Sequence, residues 1–239
     1  FHGQTIFHNA KEKISKQLGD GKLLSKLTKK TVVYNFRQND LQNGGHGAPL
    51  TPIFHKLLKA KFKITDVTFL NIGGIANVTT VLDNNEISGT DIGPGMCLID
   101  KWVREKSKKN YDENGAVARS GMVNKISLNK LLENFKKKEK KIKTDIIQSF
   151  DTKYFDFSFV KDLSLEDGAA TLTEFTSQVI ISALKNPKRN KEKIILCGGG
   201  RKNNFLFEKL KKENSNIKLI DEYGVDGDFV ESQAFAYLA

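Results

Sequence analysis

The chain has 239 residues with 39 Lys+Arg against 28 Asp+Glu, a formal net charge of +11. Its 38% hydrophobic and 28% charged residues are the balance of a soluble globular protein, which excludes a disordered chain. No apolar run approaches the ~20 residues that span a bilayer, and two cysteines, Cys97 and Cys197, can form neither a disulfide scaffold nor a metal cluster.

Taken in chain order, strands and helices alternate, which predicts an α/β fold. Residues 31–35 (TVVYN) read as a strand leading into the glycine-rich loop Asn43-Gly44-Gly45-His46-Gly47. Thr51 reads as a helix N-cap with Pro52 at the first helical position, and Ile53, Phe54, Leu57 and Leu58 follow on one face. Asp66–Ile72 reads as a buried strand ending in Gly73-Gly74, and Asn77–Leu82 as its neighbour. Asp83-Asn84-Asn85 then turns into a third strand ending near Asp91.

Beyond Gly93-Pro94-Gly95, the residues Met96, Ile99, Trp102 and Val103 recur at helical spacing. Asp167 is positioned to cap a long helix with Leu172, Phe175, Val179 and Ala183 on its buried face, stopping before Pro187. Lys193–Cys197 reads as a strand running into Gly198-Gly199-Gly200, and Phe205, Leu206 and Leu210 mark a further helix. The last helix is expected to start at Asp228, with Glu231 at its capping-box position and Ala234, Phe235 and Leu238 as its apolar face. The first residue is Phe and the sequence ends inside a helical pattern, so the chain is expected to be a piece of a longer protein.

The positive charge is concentrated. Residues 101–153 hold 15 Lys+Arg and 7 Asp+Glu, densest over Lys136–Lys143. Such a run could serve a nucleic-acid surface. It lacks interleaved aromatics for base stacking, however, and Glu139 interrupts it, so a solvated surface segment is the expectation.

Three glycine-rich turns each follow a strand: Asn71–Asn77 (NIGGIAN), Asp91–Gly95 (DIGPG) and Cys197–Asn203 (CGGGRKN). Glycine lets the backbone approach a ligand, and free N–H groups at such turns can hold phosphate. None of the three fits the P-loop or Rossmann spacing. Any one of them could be a steric necessity alone; three in one chain, one bearing an aspartate, are harder to dismiss as that.

These blocks, together with HGQTIFH (2–8), NFRQNDLQNGGHGAP (35–49), DIGPGMCLIDKW (91–102), YDENG (111–115) and GDFVESQAFA (227–236), resemble the anhydro-N-acetylmuramic acid kinase family. They occur in the family's order and cover nearly the whole chain. The resemblance implies a two-lobed ATPase fold of the actin/hexokinase/Hsp70 (ribonuclease H-like) type. On that reading residues 1–60 are the remainder of the first lobe, residues 61–225 the second lobe, and residues 226–239 a helix returning between the lobes. It also implies a bacterial cytoplasmic enzyme, a homodimer binding neither nucleic acid nor membrane. The implied reaction uses ATP and Mg²⁺ to open the 1,6-anhydro ring of anhydro-N-acetylmuramic acid and phosphorylate O6 during peptidoglycan recycling.

Carried onto this sequence, the family pattern places the general base for the attacking water at Asp91. Glu231 is a second carboxylate that orients water and sugar, unless it only caps the last helix. Gly73, Gly74 and Asn77 are expected to face the ATP phosphates, and Gly198, Gly199, Gly200 and Asn203 the adenosine. His2, Gln4, Thr5 and Arg37 are candidates for the sugar site. Arg37 is suited to the lactyl carboxylate, which wants a bidentate partner. No side chain is assigned to a metal. The sequence departs from the pattern at Ile92 and Met96, where the family has Thr and Asn, and shows no GTSxDG phosphate loop. Rival readings are another sugar kinase of the same fold, a non-catalytic amino-sugar sensor, and a nucleic-acid binder working through Lys136–Lys143.

Overall fold

The computed structural model describes residues 1–84, 86–144, 150, 152–185 and 193–239, with the backbone alone over 140–144. Their contacts divide the chain into two units, Phe1–Lys63 with Phe229–Ala239, and Ile64–Asp228.

The first unit opens with an antiparallel pair, β1 (Gln4–Asn9) and β2 (Ile14–Leu18), followed by α1 (Gly21–Thr28), α2 (Phe36–Gln42) and α3 (Thr51–Phe62). The C-terminal helix α9 (Val230–Leu238) belongs here too. Phe235 stacks on His2 with ring centroids 4.2 Å apart and meets Phe36 at 5.3 Å, while Tyr237 tilts against Phe54 of α3. Residues 31–35, expected as a strand, form none; the chain passes through them irregularly and enters α2 at Phe36, with Asn35 in the left-handed conformation. Leu50 caps α3, so Thr51 is its first residue instead of its cap. Of its apolar residues, Phe54 and Leu58 are buried, whereas Ile53 and Leu57 are exposed within this unit.

The second unit is a five-stranded sheet in the order β5-β4-β3-β6-β7, formed by β3 (Val67–Ile72), β4 (Ile75–Val81), β5 (Ile87–Pro94), β6 (Lys193–Cys197) and β7 (Ile217–Leu219). Strands β3, β4 and β5 form an antiparallel meander; β6 lies parallel to β3, and β7 parallel to β6. Central β3 is buried along nearly its whole length, with Val67, Phe69, Leu70 and Ile72 as its apolar residues. One core gathers Leu70, Ile72, Val78, Ile92 and Leu196 of the sheet with the helical residues Ile180 and Leu206. A second forms where α4 (Cys97–Lys106), α5 (Ala116–Ser120), α6 (Lys125–Thr144) and α7 (Leu165–Leu184) meet, around fully buried Trp102. The Trp102 indole N–H donates to the Leu165 carbonyl at 2.9 Å.

Ser164, not Asp167, caps α7: its hydroxyl accepts from the Asp167 N–H, leaving the Asp167 carboxylate to accept from Met122 N–H. The helix ends at Leu184; Pro187, like Asn85, lies outside the described residues. After β6, helix α8 (Asn204–Glu213) leads into β7. Asp228 does not start the last helix, whose N-cap is Phe229 without a side-chain bond. The basic run is the second half of α6; Lys136 and Lys137 are exposed, but Lys138 donates to the Tyr154 carbonyl at 2.7 Å. No described helix is long and apolar enough to cross a membrane.

Candidate functional site

The sheet explains why three turns distant in sequence belong together. An antiparallel step twice over makes β5 run with β3, and β6 is parallel to β3, so all three strands end at one edge of the sheet. Gly73-Gly74, Gly93-Pro94-Gly95 and Gly198-Gly199-Gly200 are the turns at those ends. Backbone bonds join the first two, with Gly95 N–H donating to the Gly74 carbonyl at 2.9 Å and Met96 N–H to the Gly73 carbonyl at 2.8 Å. The third closes on the first. Gly198 has φ of 82°, and a Cβ there would sit 2.5 Å from Asn71 Oδ1 and 2.6 Å from the Ile72 carbonyl. Only glycine fits that place. At exposed Gly199, by contrast, a Cβ would meet nothing within 4 Å.

Just inside this edge lies a cross-strand row. Cys197 pairs with Asn71, Asn71 with Asn77, and Asn77 with Asp91. In-register neighbours share a face of the sheet. The alternate positions Ile72, Ala76 and Leu196 enter the apolar core, so the polar members of the row lie on the other face. Beside Asp91 the β4–β5 register shifts by one residue, leaving Ile92 unpaired with its side chain in the core. An isoleucine in place of the family's threonine therefore takes nothing polar from the surroundings of Asp91. Met96, half-buried, packs against both apolar cores.

Burial raises the Asp91 pKa above its ordinary value, and a hydrogen bond from Phe150 N–H to Oδ2 at 2.8 Å opposes that shift. Desolvation is the larger influence, so this carboxylate holds its proton more tightly than a surface aspartate. Its other oxygen, Oδ1, accepts no hydrogen bond from the described residues. Asp100, in the first turn of α4, is pushed up to about 6 by burial, with Arg104 opposing and Asp112 adding to the shift.

Asn203, expected to face the adenosine, commits its side-chain oxygen to the fold and keeps a buried Nδ2 without a hydrogen-bond partner among the described residues. It is 3% exposed, and its Oδ1 caps α8 by accepting from Leu206 N–H at 2.9 Å. Asn71, which the sequence analysis did not single out, stands in this row between Cys197 and Asn77. Its signal is a polar residue after the apolar Phe69-Leu70 pair, one residue short of Gly73-Gly74.

The remaining candidates fall in the first unit. Arg37 is half-buried and spends two donors on the protein: Nε to His2 Nε2 at 3.2 Å and Nη1 to the Gly47 carbonyl at 2.8 Å. Burial lowers its pKa while the charge of Glu231 counters this, which sets that carboxylate in the same electrostatic neighbourhood. Glu231 itself is exposed in the first turn of α9 and makes no capping bond. Burial and Arg37 lower the His2 pKa to about 4, so it is neutral at pH 7 and accepts from Arg37. Gln4 and Thr5 lie exposed on β1, Thr5 Oγ1 accepting from Gln17 Nε2 at 3.4 Å. A polar cavity of about 410 Å³ opens beside His2, Gln17, Asp20 and Tyr34. His2 is the one sugar-site candidate that lines it.

Against known proteins, the family profile described as anhydro-N-acetylmuramic acid kinase matches residues 1–239. The protein of that name from Pelagibacter ubique is 53% identical over 251 residues, covering 100% of this chain and 65% of the relative. The one from Zymomonas mobilis is 38% identical over 241 residues, with 100% and 64% covered. The chain thus spans just under two thirds of the length of these curated relatives. Among solved structures, the ADPNP-bound activator of the 2-hydroxyisocaproyl-CoA dehydratase from Clostridium difficile aligns with a TM-score of 0.39 and 15% identity. That alignment covers 64% of this chain and 53% of the activator.

Proposed function

Since the chain belongs to the anhydro-N-acetylmuramic acid kinase family, we propose that it carries the nucleotide-facing turns and the general base of a kinase. This enzyme opens the 1,6-anhydro ring of anhydro-N-acetylmuramic acid and phosphorylates O6. The observation that carries the reading is the convergence of three glycine turns at the ends of β3, β5 and β6, with Asp91 in the row beneath them. Open α/β sheets bind ligands outside the carboxyl ends of their strands. A cradle of this kind fits a polyphosphate because close-packed backbone leaves N–H groups where side chains would otherwise stand.

Within that reading each group has one task. Ionised Asp91 takes a proton from the water that attacks C1 of the sugar. The C1–O6 bond breaks as the new C1–O bond forms, and the freed O6 accepts the γ-phosphoryl group from ATP. Gly74 faces the phosphates through its backbone beside Gly73, whose own N–H donates to the Ile75 carbonyl at 3.1 Å, Gly199 faces the adenosine, and Asn77, opposite Asp91, offers a neutral amide to the phosphates beside the carboxylate. Arg37, with two donors already committed, meets the lactyl carboxylate through its remaining nitrogen and not as a full fork. Glu231, free of any cap role, is the second carboxylate that orients the sugar and water.

Magnesium accompanies ATP in this reading. Among the described residues no three His, Cys, Asp or Glu side chains gather to hold a metal, so these residues do not fit a protein-built site. The wider reading is the two-lobed ATPase fold, with the first unit as sugar-side lobe, acting in the bacterial cytoplasm as a homodimer in peptidoglycan recycling.

The test is isotopic. With the full-length protein in H₂¹⁸O, one heavy oxygen should enter the sugar at C1 and none the phosphoryl group. Label in the phosphate, or a phosphorylated product with its anhydro ring intact, contradicts the reading.

A further inference from the structure

Arg201 follows directly on the Gly198–Gly200 turn, yet its side chain is turned inward and only 6% exposed. Three segments meet on its guanidinium. Nε donates to Asp221 Oδ2 at 2.9 Å, Nη2 to Asp228 Oδ1 at 2.8 Å, and Nη1 to the Gly198 carbonyl at 3.2 Å. The Gly198 carbonyl also accepts from Arg201 N–H at 3.2 Å, so backbone and side chain of one residue hold the same oxygen. Asp221 in turn accepts from Gly227 N–H at 3.2 Å, and Lys202 shares Asp228 at 2.6 Å. Gly227 has no room for a side chain, because a Cβ there would overlap the guanidinium.

The charges balance locally: two cations, Arg201 and Lys202, face two carboxylates, Asp221 and Asp228, whose pKa values are held below the ordinary range. A buried guanidinium satisfied on three sides is a rigid post. Three consecutive glycines are the opposite, the segment with most conformational freedom to lose when a ligand orders it.

We propose that Arg201 is a positioning residue for the nucleotide: it fixes the Gly198–Gly200 turn, by its first carbonyl, in the conformation that receives the ligand, without touching the ligand. This rests on the reading that the turn faces ATP. Turning the Gly198 carbonyl toward the buried guanidinium removes one source of negative potential from the outer side of the turn. It also spares the turn's ordering cost at the moment of binding.

The experiment uses the full-length enzyme, with ATP and the anhydro sugar as probes. Arg201→Gln should raise KM for ATP at least about tenfold, in line with losing a charge-assisted hydrogen bond. KM for the sugar and kcat at saturating ATP should stay within about threefold of wild type, the signature of lost ground-state binding. Arg201→Lys should fall between the two, because an ammonium restores charge but not the fork. Asp228→Asn, at an exposed acceptor, keeps the test open if Arg201→Gln fails to fold. It should raise KM for ATP by about twofold to fivefold with melting temperature unchanged.

A lowered melting temperature with unchanged KM for ATP in the folded variants would overturn the proposal. So would equal losses in kcat and sugar KM. Gly199→Val, which fills open space, tests the underlying reading separately. If it weakens ATP binding while the Arg201 and Asp228 variants do not, the turn is the nucleotide site and Arg201 is not its post. If it leaves ATP binding unchanged, the reading and the proposal both fall.

Discussion

Asn77 and Asp91 stand opposite each other across the β4–β5 pair, although they come from two different glycine-rich motifs. Cross-strand partners have Cβ atoms about 5 Å apart, close enough for one side chain to set the other's ionisation. Burial already raises the Asp91 pKa, with the Phe150 N–H opposing it. A base works only when ionised, so the acid limb of the kcat–pH profile should lie above the ordinary aspartate value and activity should fall as pH drops through it. Asn77→Asp adds a like charge and should move that limb up by about one unit or more. A limb unmoved by this variant would separate Asp91 from the rate.

Asp100 offers a stability test. Its folded-state pKa of about 6 lies above the ordinary aspartate value, so the folded protein binds the extra proton. Stability should therefore fall as pH rises from about 4 to about 6 on this group's account, then level off. Asp100→Asn should melt higher than wild type at pH 8, and the difference should vanish near pH 4. Thermal melts at the two pH values check the sign.

Gly198→Ala places a methyl group against Asn71 and Ile72 at a positive φ. Strain of this kind costs roughly 1–3 kcal/mol. Urea unfolding of the full-length protein should show a loss in that range, with weaker ATP binding, whereas Gly199→Ala should lose little stability.

Lys136 and Lys137 are exposed on α6 and carry no hydrogen bond among those described. Replacing both with Gln should lower the net charge by two and leave turnover within about twofold, as expected for solvated surface charges. A large loss of sugar turnover would assign the helix a further task.

The second unit was legible because its signals are local. Apolar β3 and β6 each run into glycine, and Met96, Ile99, Trp102 and Val103 keep helical spacing into α4. What stayed hidden depended on tertiary partners. The β1–β2 pair is polar enough to pass for a loop, and residues 31–35 have a strand's β-branched character without a neighbouring strand to pair with. At α7 the cap is Ser164, three residues before the expected Asp167, whose carboxylate instead accepts from Met122 N–H, a partner distant in sequence. Asn203 was expected at the adenosine from the family pattern, and that pattern carried no sign that its side-chain oxygen also caps α8. No spacing rule announced the row Cys197–Asn71–Asn77–Asp91, since register is fixed only when the strands pair.

The most direct measurement is steady-state turnover of anhydro-N-acetylmuramic acid by full-length Asp91→Asn, paired with its affinity for ATP. The substitution keeps the shape of the side chain and removes its basicity. Loss of a general base costs about 10²–10⁴-fold, so kcat should drop at least about a hundredfold while ATP affinity, held by the glycine turns, stays within about threefold. Ring opening and phosphoryl transfer should fall together, because the attack at C1 is what frees O6. Wild-type turnover in Asp91→Asn would contradict the account and move the base to Glu231.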